Sequence, residues 1–598
     1  MKHVKSLLQI IGKLNFMLTK EQKRTGIVVM MMIVIGSFLD MLGVSAILPF
    51  IEAILTPDDI LGKWYVKPII EIFHPKEMAT VTIIIGICII LIYILKNAYL
   101  YASVMIQTIY RSKIQKKLST RMLRAYMKRP YEYFININTA EVIRGIGTDV
   151  IGVYNLLDNL FRFCGEFLTA LLIGIYIILT DAFMAICIIV IAGCCFILIT
   201  LGLKRKTRYL GEQKRETDTV RNNWALQAVM GFKEIKVTQT ADYFIEGYEK
   251  AYENQRIADV KNEYIVNLPE KLIEAMCVAV LLGIICVKIK IGTDMIAFVP
   301  KLAVFAVAAF RLLPSISRMT RYMNGVIFNN AFLQSAYDNL VEIQQFENSD
   351  ESKTEIEDER KIEFCKELKI SHISWNYAGN DKEILSDLSL TIYKGEAIGL
   401  IGASGAGKTT LADIVLGLLK PRKGNIFMDG IDIYSCPTQW SKIIGYVPQS
   451  VFLANDTIRN NVAFGHAVEE IDDKKVWEVL REAQLEKFVQ ELPNKLDTQV
   501  GERGIKFSGG QRQRIAIARA LYNEPSIVVL DEATSALDNE TEKAVMEAIE
   551  ALQGYKTLII VAHRLTTIKQ CDKIYEIVNG KIEARNKADI FGEDVANV

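Results

Sequence analysis

Residues Gly402-Ala403-Ser404-Gly405-Ala406-Gly407-Lys408-Thr409 spell G-x-x-x-x-G-K-T. The glycines at 402, 405 and 407 let the backbone curl until its N–H groups point at phosphate oxygens. The run Ala397–Ile401 reads as a buried strand and Thr410–Leu419 as a helix. The loop therefore lies at a helix N-terminus, where the dipole favours anions. Lys408 is placed to reach the β- and γ-phosphates of a nucleoside triphosphate, and the Thr409 hydroxyl to hold Mg²⁺. Ser404, Ala406 and Thr410 belong to the same cradle. A second apolar run, Ser526–Leu530, ends in Asp531-Glu532. Asp531 at a strand end suits Mg²⁺, directly or through water, and Glu532 suits orienting or deprotonating an attacking water. Without the upstream loop, this acidic pair would read as an ordinary helix N-cap.

Between these motifs stands Phe507-Ser508-Gly509-Gly510-Gln511. With it, residues from about Phe364 to Ile582 resemble the nucleotide-binding domain of ABC transporters. The resemblance implies ATP, with Ser508, Gly509, Gly510 and Gln511 closing on a nucleotide held by a partner domain. It gives Tyr377 the adenine-stacking role, although Trp375 two residues earlier would share its strand face. It gives Gln449, in Val447-Pro448-Gln449, a contact to Mg²⁺, and His563 a contact to the γ-phosphate. Ser535–Asp538 match the loop that crosses to the partner. Thr498–Gly504 match the exporter segment that touches the membrane half. The chain has one P-loop and one signature face, so a working site needs a second chain. A homodimer is the economical answer; a heterodimer with a related chain is the alternative.

Over 598 residues, 51% are hydrophobic and the net charge is +1. No global basic field argues for nucleic acid. Ten cysteines are scattered without C-x-x-C pairs, as expected of small apolar residues in a reducing setting. The apolar excess lies in the first 330 residues. Ile27–Leu55, Val81–Ile109, Leu156–Leu179 and Ala182–Leu203 are candidate spans, and Leu272–Val287 and Met295–Phe310 are shorter cores of a fifth and sixth. Basic residues crowd 111–129 and 204–221, which the positive-inside rule assigns to the cytoplasm. Both termini then lie in the cytoplasm of a cytoplasmic-membrane protein. The polar stretches near 110–150 and 204–265 read as helices extended into the cytosol, with turns near Asn136–Glu141 and Gly231–Thr240. Val4–Leu18, amphipathic and without a small-residue cleavage site, reads as an elbow helix on the inner membrane surface.

The expected architecture is an α-helical six-span transmembrane domain followed by an α/β P-loop nucleotide-binding domain. Its expected divisions are an elbow at 1–20, a membrane domain at 21–345, a linker at 346–361 and the nucleotide-binding domain at 362–598. That is the exporter arrangement. Charges inside spans are costly and mark a functional cavity by default. Arg311 and Arg318, seven apart on a helix, share a face, and Lys96 lies midway along the second span. Each is a candidate for a substrate cavity; the alternative is snorkelling, or pairing with Asp40, Glu166 or Glu274. Arg321 fits the alternative better.

The membrane half resembles, moreover, flippases of polyprenyl-pyrophosphate-linked oligosaccharides in bacterial protein glycosylation. The resemblance rests on Phe310–Ser315 with Arg318, and on Ile92-Tyr93-Ile94-Leu95-Lys96. Ile60–Phe73 could supply that subgroup's external amphipathic helix. Pro269-Glu270 departs from it, since a basic residue is expected there. The rival substrates are another lipid, a drug or a peptide.

Overall fold

The computed structural model describes residues 2–46, 78–180, 182–290, 295–348, 362–377, 382–532, 539–562 and 564–591, with a few isolated positions besides. Most of Ile60–Phe73, most of the linker, residues 533–538 and His563 lie outside the described residues, as does the side chain of Arg311. The chain forms two units, Met1–Arg129 with Ile137–Gln345, and Pro130–Asn136 with Phe346–Val598.

The first unit is helical. Its elements are α1 (Lys2–Met17), α2 (Lys20–Ser45), α3 (Met78–Met127), α5 (Thr139–Ile146), α6 (Thr148–Thr180), α7 (Ala182–Met230), α8 (Phe232–Thr238), α9 (Ala241–Lys290) and α10 (Met295–Asn348). The short helix α4 (Tyr131–Asn136) belongs to the second unit. The turns expected near 136–141 and 231–240 are thus short helices, and the first comes earlier than expected. Among the described residues, three stretches are long and apolar enough to cross a bilayer: Lys20–Gly43, Ala79–Met127 and Thr139–Leu179. The six expected crossings are supported to that extent.

A capping box starts α2. Gln22 Oε1 accepts from the Thr19 N–H at 2.9 Å, and Thr19 Oγ1 accepts from the Gln22 N–H at 3.3 Å. Three tyrosines of α3 then fasten onto α2 carbonyls: Tyr93 onto Gly43 (3.0 Å), Tyr99 onto Met32 (3.0 Å) and Tyr110 onto Gln22 (2.8 Å). Small residues permit this approach; a Cβ at Gly26 would stand 2.7 Å from the Tyr110 hydroxyl. The elbow α1 is pinned to α10, with Lys13 bonded to Gln334 and Phe16 edge-on to Tyr337. In the first turn of α6, Asp149 is fully buried, accepts from Ser335 Oγ at 2.7 Å, and faces Arg144 and Arg215.

The second unit holds the P-loop. Its main sheet has the order β10-β9-β3-β8-β7-β6, from β3 (Ala397–Ile401), β6 (Ile444–Val447), β7 (Ile527–Asp531), β8 (Thr557–Val561), β9 (Lys573–Val578) and β10 (Lys581–Arg585). All neighbours pair parallel except β9 with β10. Strands β7 and β8 are buried along their whole length, so they read as continuous apolar runs. Alternate residues serve two cores. Val528, Leu530, Leu558 and Ile560 face one, and Ile527, Val529, Ile559 and Val561 face the other. An antiparallel sheet of β2 (Leu385–Tyr393), β1 (Glu367–Trp375), β4 (Lys423–Met428) and β5 (Ile431–Asp432) adds to the second core.

Candidate active site

Ligands in parallel α/β sheets bind beyond the carboxyl ends of the strands. The candidate residues follow the ends of four adjacent strands: the P-loop after β3, Asp531 and Glu532 at β7, and Gln449 just past β6. His563, just past β8, lies outside the described residues.

Gly402, Gly405 and Gly407 have φ of 148°, 80° and 104°, a region that glycine adopts without strain. At Gly402 a Cβ would meet the Ile577 carbonyl oxygen at 2.6 Å, and at Gly407 the Leu385 side chain at 2.8 Å. Nothing larger than glycine fits at 402 or 407, while at 405 there is space and only the positive φ favours glycine. The helix Lys408–Val415 begins directly after it, while Ser404, Gly405 and Thr409 are exposed and Ala406 is partly so. Lys408 is 4% exposed and its ammonium donates to the carbonyls of Gly402 (2.9 Å) and Ala403 (3.2 Å). Burial pulls its amine below the usual range, with Glu532 and Asp531 opposing.

Asp531 is 3% exposed at the end of β7, opposite Val561. The next residue, Glu532, has φ of 48°, uncommon for a side chain of its size, and its N–H donates to Val561 at 2.9 Å. That left-handed step turns Glu532 out of the strand, where the Gln449 amide donates to its carboxylate. Lys408, Asp531, Glu532 and Gln449 are therefore gathered in one place. The oxygens of Thr409, Gln449 and Asp531 form a hard donor set that fits Mg²⁺.

Ser508 caps the helix Gly509–Tyr522. Its hydroxyl accepts from the Gln511 N–H, and the Gln511 side chain accepts from the Ser508 N–H at 2.8 Å. The capped helix has 14 residues and begins with two glycines, Gly509 partly exposed and Gly510 buried. Trp375 and Tyr377 differ in burial. Trp375 is 1% exposed in the core, while Tyr377, past the strand end and edge-on to it at 4.3 Å, is partly exposed.

The sequence matches a family model for the ABC transporter transmembrane region over residues 26–289, and one for the ABC transporter over 385–535. The chain is an ABC transporter. The transporter is 29% identical to the heterocyst differentiation ATP-binding protein HepA of Nostoc sp. over 79% of this chain and 77% of that one. It is 29% identical to an ATP-dependent lipid A-core flippase of Desulfotalea psychrophila over 87% and 89%. The solved structure of a bacterial Atm1-family ABC exporter with ATP bound covers 97% of its own length and 96% of the transporter, with a TM-score of 0.76 at 21% identity. That likeness shows the exporter fold.

In the membrane half, Lys96 pairs with Asp40 at 3.0 Å, the two side chains 9% and 10% exposed. Arg318 grips Glu166 with two hydrogen bonds, of 2.6 and 3.0 Å, and Ser315 with a third. Arg321 pairs with Glu270, the residue that stands where a base was expected. Each cation thus meets a carboxylate, two of them among the partners named from the sequence.

Sequence reading missed Asp413. It follows Lys408 by five residues, and burial with the nearby Asp531 pushes its carboxyl up to about 6. A carboxylate among the apolar residues of the first helix after the P-loop was the available signal.

Proposed function

We propose that the transporter works as a homodimer that binds and hydrolyses ATP at two composite sites and moves a polyprenyl-pyrophosphate-linked oligosaccharide across the cytoplasmic membrane. A lipid substrate is supported by the match to an ATP-dependent lipid A-core flippase over 87% of this chain and 89% of that one. The polyprenyl-pyrophosphate headgroup rests on the resemblance carried by Phe310–Ser315, Arg318 and Lys96. In this reading six spans return both termini and the ATP-binding domain to the cytoplasm. Lys408 and the loop amides hold the phosphates, and Tyr377 stacks on adenine. Ser508 to Gln511 of one chain close on the nucleotide held by the other. Glu532, turned out of β7, accepts the proton of the attacking water, and His563 contacts the γ-phosphate. Thr409, Gln449 and Asp531 would hold Mg²⁺, which when bound neutralises charge on the phosphates.

Arg311 and Arg318 would receive the pyrophosphate, whose oxygens suit a guanidinium fork, and Lys96 would add a point charge. A pyrophosphate must draw Arg318 from Glu166, so the carboxylate tunes the site. Reconstitution into liposomes with a lipid-linked oligosaccharide tests this, scoring translocation and hydrolysis separately. Arg311→Ala with Arg318→Ala is expected to lose translocation and keep basal hydrolysis. Unimpaired translocation by the folded double variant rejects the arginine site. No translocation by the wild type transfers the reading to another lipid, a drug or a peptide.

A further inference from the structure

We infer that a groove under the elbow helix holds one acyl chain of an anionic phospholipid of the cytoplasmic leaflet. The groove encloses about 720 Å³, within the ~300–1,000 Å³ of small-molecule sites. Three helices line it at every third or fourth position: α2 from Lys23 to Ile35, α1 from Ile11 to Asn15 with Leu18 just past its end, and α6 from Leu157 to Cys164. That spacing presents one face of each helix. Tyr110 of α3 also lines it.

The length and the charge choose the occupant. From Lys23 to Ile35 the helix rises about 18 Å, close to half of a ~30 Å hydrocarbon core. The groove therefore spans one leaflet. Its lining is apolar apart from Tyr110, Lys23 and Asn15, the last two near the facing ends of α2 and α1. Lys20 and Arg24 lie three residues before and one after Lys23 in the first turn of α2, and both are exposed. Glu21, the acid of that turn, is bonded to Lys117 at 2.9 Å and does not offset them. A cationic rim over a one-leaflet apolar slot matches an anionic headgroup joined to a fatty chain. The elbow itself leaves Leu8 and Ile11 60% and 51% exposed, as befits a helix lying in the headgroup boundary.

The test uses the full chain in nucleotide-free nanodiscs, with no transport substrate. Its probes are phosphatidylglycerol or phosphatidylcholine bearing a diazirine on the acyl chain. After illumination, label should map to α1, α2 and α6, with phosphatidylglycerol favoured. Lys23→Ala should reduce that preference about fivefold, the effect of one basic residue at an anionic surface. Met30→Trp with Leu160→Trp should fill the groove and remove the label. Label unchanged in the filled variant, or absent from the three helices, overturns the proposal. Equal labelling by both wild-type probes, or Lys23→Ala without effect, overturns the anionic headgroup.

Discussion

Lys96 offers the sharpest separation between a structural ion pair and a substrate contact. Its ammonium is 3.0 Å from Asp40, and both side chains are about nine-tenths buried. It also lies 4.5 Å from the Tyr93 ring centroid. At 3.0 Å the attraction between the Lys96 and Asp40 charges is about 5.5 kcal/mol at an effective dielectric of ~20. Desolvation cancels much of it, so the pair as a whole contributes little; removing one partner costs about 3–5 kcal/mol, because a buried charge is left alone. Asp40→Asn should therefore lower the thermal unfolding midpoint in detergent by about 5 °C or more. Asp40→Asn with Lys96→Met should return to near the wild type. If Asp40→Asn leaves the midpoint unchanged, the buried-pair reasoning is wrong. Transport then separates the roles: a stable double variant that still translocates makes Lys96 structural, and one that does not makes it a substrate contact.

Glu532→Gln should bind ATP normally and lose about 10²–10⁴-fold in hydrolysis, the contribution of a positioned base, whereas Lys408→Ala should weaken nucleotide binding itself; both are read by nucleotide titration and phosphate release. Mixing Lys408→Ala chains with Ser508→Arg chains should restore at most one working site per dimer, and normal turnover by a strictly monomeric preparation would contradict the composite site. Asp413 has a folded pKa raised to about 6, so the native state binds its proton more tightly and stability falls as pH rises from about 4 to about 6. Asp413→Asn should accordingly unfold later than the wild type at pH 7.5 by up to about 2 kcal/mol, once solvent screening of the partly exposed carboxylate is discounted, and the gap should close near pH 4.

Local motifs were the legible part. The P-loop glycines, the strands before them and the acidic pair are contiguous in sequence, and backbone geometry follows from the residue types. The capping box at Thr19–Gln22 was equally legible and went unread. Pairing across the membrane half was not legible. Arg318 and Glu166 are separated by 152 positions, and nothing in either helix selects one acid over another until the helices pack. Glu270 shows the same limit. Read alone it departs from a family pattern; packed against α10 it is the counter-ion of Arg321. The order of β3, β8, β7 and β6, which gathers the site, is likewise a property of the sheet and not of any one segment.

The helix Tyr131–Asn136 is borrowed from the middle of the membrane sequence and belongs to the ATP-binding unit, where Glu132 is bonded to Arg422 at 2.7 Å. The backbone consequently passes between the units three times, after Arg129, after Asn136 and after Gln345. The ATP-binding unit is thus not a cartridge on a single tether. An engineer exchanging it between transporters, or expressing it alone from Phe346 onward, would leave a seven-residue part behind, and a working chimera has to carry both pieces across together.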